Sequence, residues 1–203
     1  MRWISLGDAC IPQLHFRHAR GVRNPKKQSP FGFMGTRRYQ HGIIDCIEDN
    51  CEKLLDKDQY IRVGPDKKWL HQGYNWTFSH HKNVVGDKEY EILKAQCTFF
   101  LESLKESENV AYIMSSSGWP FSISQPVLTK LREIIPEKCK ILFCRVGSLN
   151  EEVRLINGIY VADLLIESTH LKNNDRWNIH DGISVRYSKS KELKDIVDQV
   201  FSA

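Results

Sequence analysis

Two hydrophobic rhythms alternate along this chain. Short, almost uninterrupted apolar runs occur at Val110 to Met114, Lys140 to Val146 and Ile159 to Ile166, with a shorter one from Trp3. Between them lie longer stretches in which apolar residues return every three or four positions. The short runs read as strands buried on both faces, and the longer stretches as amphipathic helices. Helices are predicted at Ile11 to Arg20, Arg37 to Leu55, Lys88 to Glu106, Ser124 to Ile135 and about Ser190 to Phe201. Pro12 suits a first helical turn, Gly21 a stop, Thr36 an N-cap, and Pro136 a break. Tyr60 to Val63 and the alternation Tyr74, Trp76, Phe78 read as further extended pieces. Strands alternating with helices in this way predict an α/β domain: a mainly parallel sheet with helices on both faces and the whole of residues 1–203 in one domain.

Composition adds limits. With 203 residues, 41% of them hydrophobic, the chain can bury one ordinary core, and a net charge of +4 at 27% charged residues suggests neither disorder nor a dedicated polyanion binder. Arg17, Arg20, Arg23, Lys26 and Lys27 crowd one stretch, which reads first as a solvated face, so a nucleic-acid partner is not expected. The polar, proline-bounded loop at about 22–30 is the expected mobile segment. No apolar run reaches the ~20 residues of a membrane span and the N-terminus lacks a signal-peptide pattern, so a soluble cytoplasmic protein is expected. Six cysteines show no C-x-x-C pair and no secreted framework, and are expected to be reduced. A zinc site from Cys46, Cys51 and a distant histidine is not expected, because the two cysteines would lie at i, i+5 of one helix. Neither G-x-G-x-x-G, nor the P-loop, nor G-x-S-x-G occurs.

The candidate chemistry starts at Gly7-Asp-Ala-Cys10, placed between the first strand and the first helix. A thiol at a helix N-terminus is shifted toward thiolate, and the free amides there can hold an oxyanion. Cys10 is therefore the candidate nucleophile, with Gly7 and Asp8 as oxyanion or orienting residues. In Leu6-Gly-Asp-Ala9, alanine stands where the G-D-S hydrolases have their serine. His80, just past the aromatic strand, is the candidate base; adjacent His80 and His81 would point to opposite faces. The polar stretch Ser168 to Asp181 offers His180 as another base and Asp175 or Asp181 as an orienting carboxylate. His15 and His18 on the first helix are further alternatives. Phe31, Phe33, Trp76 and Trp119 are expected to wall a binding pocket, with no metal.

These blocks carry a resemblance. Ile4-Ser-Leu-Gly-Asp-Ala-Cys10, Ser29-Pro-Phe-Gly-Phe33 and Tyr74-Asn-Trp-Thr-Phe-Ser-His80, followed by the helix Tyr90 to Leu104 and the strand Val110 to Met114, together resemble a family of uncharacterised bacterial proteins. That family, the domain of unknown function numbered 1796, is described as papain-like cysteine peptidases. The resemblance covers about the first 115 residues and implies a Cys10 nucleophile with His80 as its base. Gly32 stands where the family usually has aspartate, and His81 where it often has another. Water as acceptor would make the protein a peptidase or amidase, acting on a peptide or small molecule without a cofactor. A saccharide acceptor would make it an acyltransferase using coenzyme A, whose phosphates the Arg17 to Lys27 stretch could meet. The non-enzymatic alternative is a binding module that has lost the chemistry.

Overall fold

The computed structural model describes residues 1–7, 13, 16–17, 20–33, 42–65, 67–78, 81–106, 109–115, 125–147, 153–165 and 193–202. The fold is α/β. A five-stranded sheet is built from β1 (Arg2–Ser5), β5 (Val110–Ser115), β6 (Lys140–Gly147), β7 (Arg154–Ile156) and β8 (Ile159–Leu165), in the order β1-β5-β6-β8-β7. Pairing is parallel from β1 through β8, and only the edge strand β7 runs antiparallel. A separate antiparallel meander contains β2 (Tyr60–Val63), β3 (Lys68–His71) and β4 (Trp76–Phe78).

The alternation of side chains along the central strands sorts the core into two halves. Ile4, Val110, Tyr112, Met114, Ile141, Phe143 and Val161 fall on one face of the sheet. They pack against α1 (Gly42–Glu48), α2 (Asp87–Ser103), α3 (Gln125–Ile134) and the aromatic side of the meander. Ala111, Ile113, Leu142, Cys144 and Ala162 fall on the other face, under Phe16 and the helix α4 (193–201) with Leu193, Val197 and Val200. Burial on both faces is why these strands are apolar throughout rather than alternating. Arg20 fastens α4 at the surface by pairing with Asp198 while its guanidinium lies over Trp3.

Local chemistry sets the element ends. Asn157 and Gly158 both have positive φ, 50° and 75°, which is the two-residue turn that joins β7 to β8 with Ile156 opposite Ile159. The Asn-Gly pair makes a hairpin of a short segment whose three residues are all exposed, the apolar Leu155 and Ile156 included. After α3 the Arg132 guanidinium donates to the carbonyls of Ile135, Pro136 and Cys139, satisfying backbone oxygens that the break at Pro136 leaves without helical partners. The segment Trp69 to Phe78 is two strands rather than one, with Asn75 at φ 50° closing the turn between them.

One expectation needs correction. The predicted helix Arg37 to Leu55 is helical, within the described residues, only over Gly42–Glu48, followed by a 3-10 turn at Lys53–Leu55. Asn50 and Cys51 turn left-handed there, at φ 54° and 63°. The loop at about 22–30 contains a 3-10 turn at Pro25–Lys27 and leads into another at Pro30–Phe33; Gln28 and Ser29 are buried, and the Gln96 side chain of α2 donates to the Pro25 carbonyl at 3.0 Å.

Candidate functional site

Because β1, β5, β6 and β8 are parallel, their carboxyl ends lie along one edge of the sheet. The chain segments that follow Ser5, Ser115, Gly147 and Leu165 all depart from that edge. β1 leaves cleanly: the Leu6 amide still donates to the Ile113 carbonyl at 2.8 Å, and Gly7 then turns away at φ 84°. A left-handed φ at that point favours glycine. The Gly7 amide donates to the Ser5 hydroxyl at 3.3 Å, so one polar group of the turn is satisfied from within it.

The next described residue is helical Gln13, and it is the anomaly of this region. Gln13 is 1% exposed, and among the described residues neither Nε2 nor Oε1 of its carboxamide has a hydrogen-bond partner. A buried polar group left without a partner costs about 1–3 kcal/mol. Its position is fixed by a close approach to Gly32, where a Cβ would fall 2.5 Å from Oε1 and 3.0 Å from Cδ of Gln13. Glycine at 32 is therefore a condition for the carboxamide to sit where it does. Phe31, beside it, is fully buried and meets Trp76 edge-on at 5.8 Å and Phe100 at 4.9 Å. The structure thus places Phe31 and Trp76 in the core behind the Gln13–Gly32 contact, as packed aromatics. Phe33 ends the same 3-10 turn.

Most other residues singled out by the sequence lie outside the described residues. These are Asp8, Cys10, His15, His18, His80, Trp119, Asp175, His180 and Asp181. By chain order Cys10 follows β1, Trp119 follows β5, and Asp175, His180 and Asp181 follow β8. His80 instead follows β4 of the meander, which ends at Phe78.

His81, its neighbour, is described and engaged. Its Nδ1 is 3.4 Å from Oε2 of Glu89 on α2, and its ring meets Phe78 edge-on at 5.6 Å. Burial holds the His81 pKa below its ordinary value, against the opposing pull of Glu89.

A second histidine, missed by sequence reading, is built into the meander. His71 is fully buried, accepts the Tyr74 amide at Nδ1 (3.2 Å) and donates from Nε2 to the Lys53 carbonyl (2.8 Å). Those two bonds require the neutral ring, and burial accordingly lowers its pKa. Its ring stacks on Tyr74 at 4.7 Å, and the Tyr74 hydroxyl donates to Asp49 at 2.7 Å.

Gln13 was the other omission, and a signal for it existed. It lies three residues before Phe16, so on a helix the two share a face, and a polar residue on a core-facing stripe calls for a partner. Among the described residues no group of three or more histidine, cysteine, aspartate or glutamate side chains is arranged to hold a metal ion, and no helix is long and apolar enough to cross a membrane. No family model matches the chain, and neither a curated protein nor a solved structure matches it.

Proposed function

We propose that the protein is a cysteine-dependent acyl-transfer enzyme of the hydrolase kind, with Cys10 as nucleophile and His80 as base. The observation that carries this reading is the buried carboxamide of Gln13, without a hydrogen-bond partner among the described residues and three positions after Cys10 in the sequence. An amide N–H held ready without a partner is what an oxyanion forming on an attacked carbonyl requires. His80 takes the Cys10 thiol proton as the sulfur adds to the carbonyl carbon, and the oxygen becomes an oxyanion held by Gln13 Nε2 and the backbone amides after Gly7. Collapse expels the leaving group, which takes a proton from His80, and leaves a thioester on Cys10. Water, losing its proton to His80, then attacks the thioester, releases the acid and restores the thiol.

Gly32 is a departure from the pattern of the bacterial papain-like family. Where those proteins carry aspartate, this chain has the glycine whose missing side chain leaves room for Gln13. The polar group then comes from the first helix instead of from position 32. The coenzyme A version has less support, since Arg20 of the basic stretch is committed to Asp198 and Trp3.

The test is reaction with p-nitrophenyl acetate. A stoichiometric burst of nitrophenolate, with an acetyl group located on Cys10 by peptide mass spectrometry and lost in Cys10→Ala and His80→Ala, is the expected result. A flat trace with unmodified Cys10 would leave the binding module.

A further inference from the structure

Three of the described cysteines meet in one place. Cys46 on α1, Cys51 beyond its end and Cys97 on α2 are all essentially excluded from solvent, and the three thiols are near enough to perturb one another's ionisation. Backbone geometry brings the first two together. The Cys51 amide donates to the Cys46 carbonyl at 2.7 Å and the Asn50 amide to the Ile47 carbonyl at 3.1 Å, with Asn50 left-handed. This is the paired-bond helix terminus in which the residue two beyond the cap returns to touch the side chain in the helix's last turn. In most proteins that contact joins two hydrophobic residues; here it joins two thiols. A direct backbone bond between the two residues also brings their Cα atoms into the ~4.4–6.8 Å range that a disulfide spans.

Cys51 carries a second mark. It is itself left-handed at φ 63°, a conformation that disfavours a residue with a Cβ, directly after the left-handed Asn50. Sparsely populated backbone conformations persist where the surroundings over-determine them. The surroundings here are specific: the turn that follows Cys51 has its three carbonyls, of Lys53, Leu54 and Leu55, each bonded by a distant side chain, from His71, Tyr60 and Tyr90. The position of Cys51 against Cys46 is thus held from three sides.

We infer that Cys46 and Cys51 form a redox-active dithiol, oxidised by a hydroperoxide to an internal disulfide while Cys97 serves as hydrogen-bond donor to Cys51. The Cys51 sulfur attacks the distal peroxide oxygen, breaking the O–O bond and releasing water, and becomes a sulfenic acid. The Cys46 sulfur then attacks the Cys51 sulfur, the S–S bond forms and a second water leaves with the Cys46 proton. Two thiols and one hydrogen peroxide give one disulfide and two waters. The two hydrogen bonds from its neighbours hold the Cys51 thiol pKa low, with that from Cys46 first, while Cys46 and Cys97 are raised. The site is independent of any role for Cys10.

The test is titration of the folded, reduced protein with hydrogen peroxide, followed by catalase, denaturation and alkylation with N-ethylmaleimide. Cys46 and Cys51 fall in one tryptic peptide, residues 39–53, and Cys97 in another. The expected result is that the peptide 39–53 appears two hydrogens lighter and unalkylated at peroxide levels that leave Cys97, Cys139 and Cys144 fully alkylated. Full alkylation of Cys46 and Cys51 alongside Cys139 would overturn the inference. So would a cross-link from residues 39–53 to Cys97, or sulfinic acid on Cys51 in place of the disulfide.

Discussion

The turn after β1 and the turn after α1 are both left-handed exits that precede a buried polar cluster, yet they handle their polar atoms in opposite ways. At the first, Gly7 turns the chain and Gln13 ends buried against Gly32 with no hydrogen-bond partner among the described residues. At the second, Asn50 and Cys51 turn the chain and the buried thiols have one another as polar neighbours. A cluster that satisfies itself is suited to internal chemistry, such as a disulfide between its own members. A cluster that leaves a donor and an acceptor open is suited to something that arrives from outside. On the two proposals made above, the difference separates a site for substrate from a site for oxidation within one small fold.

Replacing Gln13 should test the first half of that contrast most severely. Gln13→Leu removes the open carboxamide but keeps its volume, so the acetylation rate at Cys10 is expected to fall by about 10²–10³, the usual cost of losing an oxyanion donor. Urea unfolding of the same variant should show stability unchanged or raised by about 1 kcal/mol, because an unsatisfied group has gone. A residue with only a packing role would give neither the rate loss nor the gain.

Gly32→Ala comes next. Its Cβ would overlap the Gln13 carboxamide, and the expected loss is about 1–3 kcal/mol by denaturant midpoint. In a Gln13→Ala background the same change should cost much less, and equal losses in both backgrounds would contradict the contact.

The second turn predicts a pH effect. His71 is bonded as the neutral ring and its folded pKa lies below the unfolded value, so its contribution is fully present above about pH 6.5 and is lost as pH falls through the lowered folded pKa. His81 acts in the same direction. Urea midpoints should therefore drop between pH 7.5 and the acid side of that window, and the drop should shrink in His81→Gln, while a midpoint independent of pH would refute both assignments. The smallest effect belongs to Asn50. Asn50→Ala should cost about 1 kcal/mol and Asn50→Gly only a few tenths or less, since glycine accepts φ 54° freely. The peroxide needed to oxidise Cys46 and Cys51 should rise with Asn50→Ala and stay constant with Asn50→Gly.

What could be read from the sequence depended on whether local and long-range signals agreed. The runs at Val110, Lys140 and Ile159 appear as β5, β6 and β8 with ends shifted by a residue or so, because strands buried on both faces carry their signal in every residue. The Arg37 to Leu55 helix was over-extended for a physical reason. Cys51 and Leu54 keep the apolar period after the helix has stopped, since the turn folds them back into the same core. For the same reason the i, i+5 spacing of Cys46 and Cys51 gave no hint that they meet. β7 is only three residues long, Arg-Leu-Ile, and the Asn157-Gly158 turn is what marks it as a strand. At the candidate site, Gly7 and the strand edge were legible, whereas the importance of Gln13 depended on Gly32, nineteen residues away.

The most direct test of the central claim is the rate at which iodoacetamide alkylates each cysteine of the native protein as a function of pH, with His80→Ala in parallel. If Cys10 is the nucleophile, it alone reacts rapidly well below ~8.5, the unperturbed thiol pKa, and loses that advantage in His80→Ala. If Cys10 reacts no faster than Cys139, the thiol-enzyme account is contradicted and the orphaned carboxamide of Gln13 belongs to a binding site without a nucleophile.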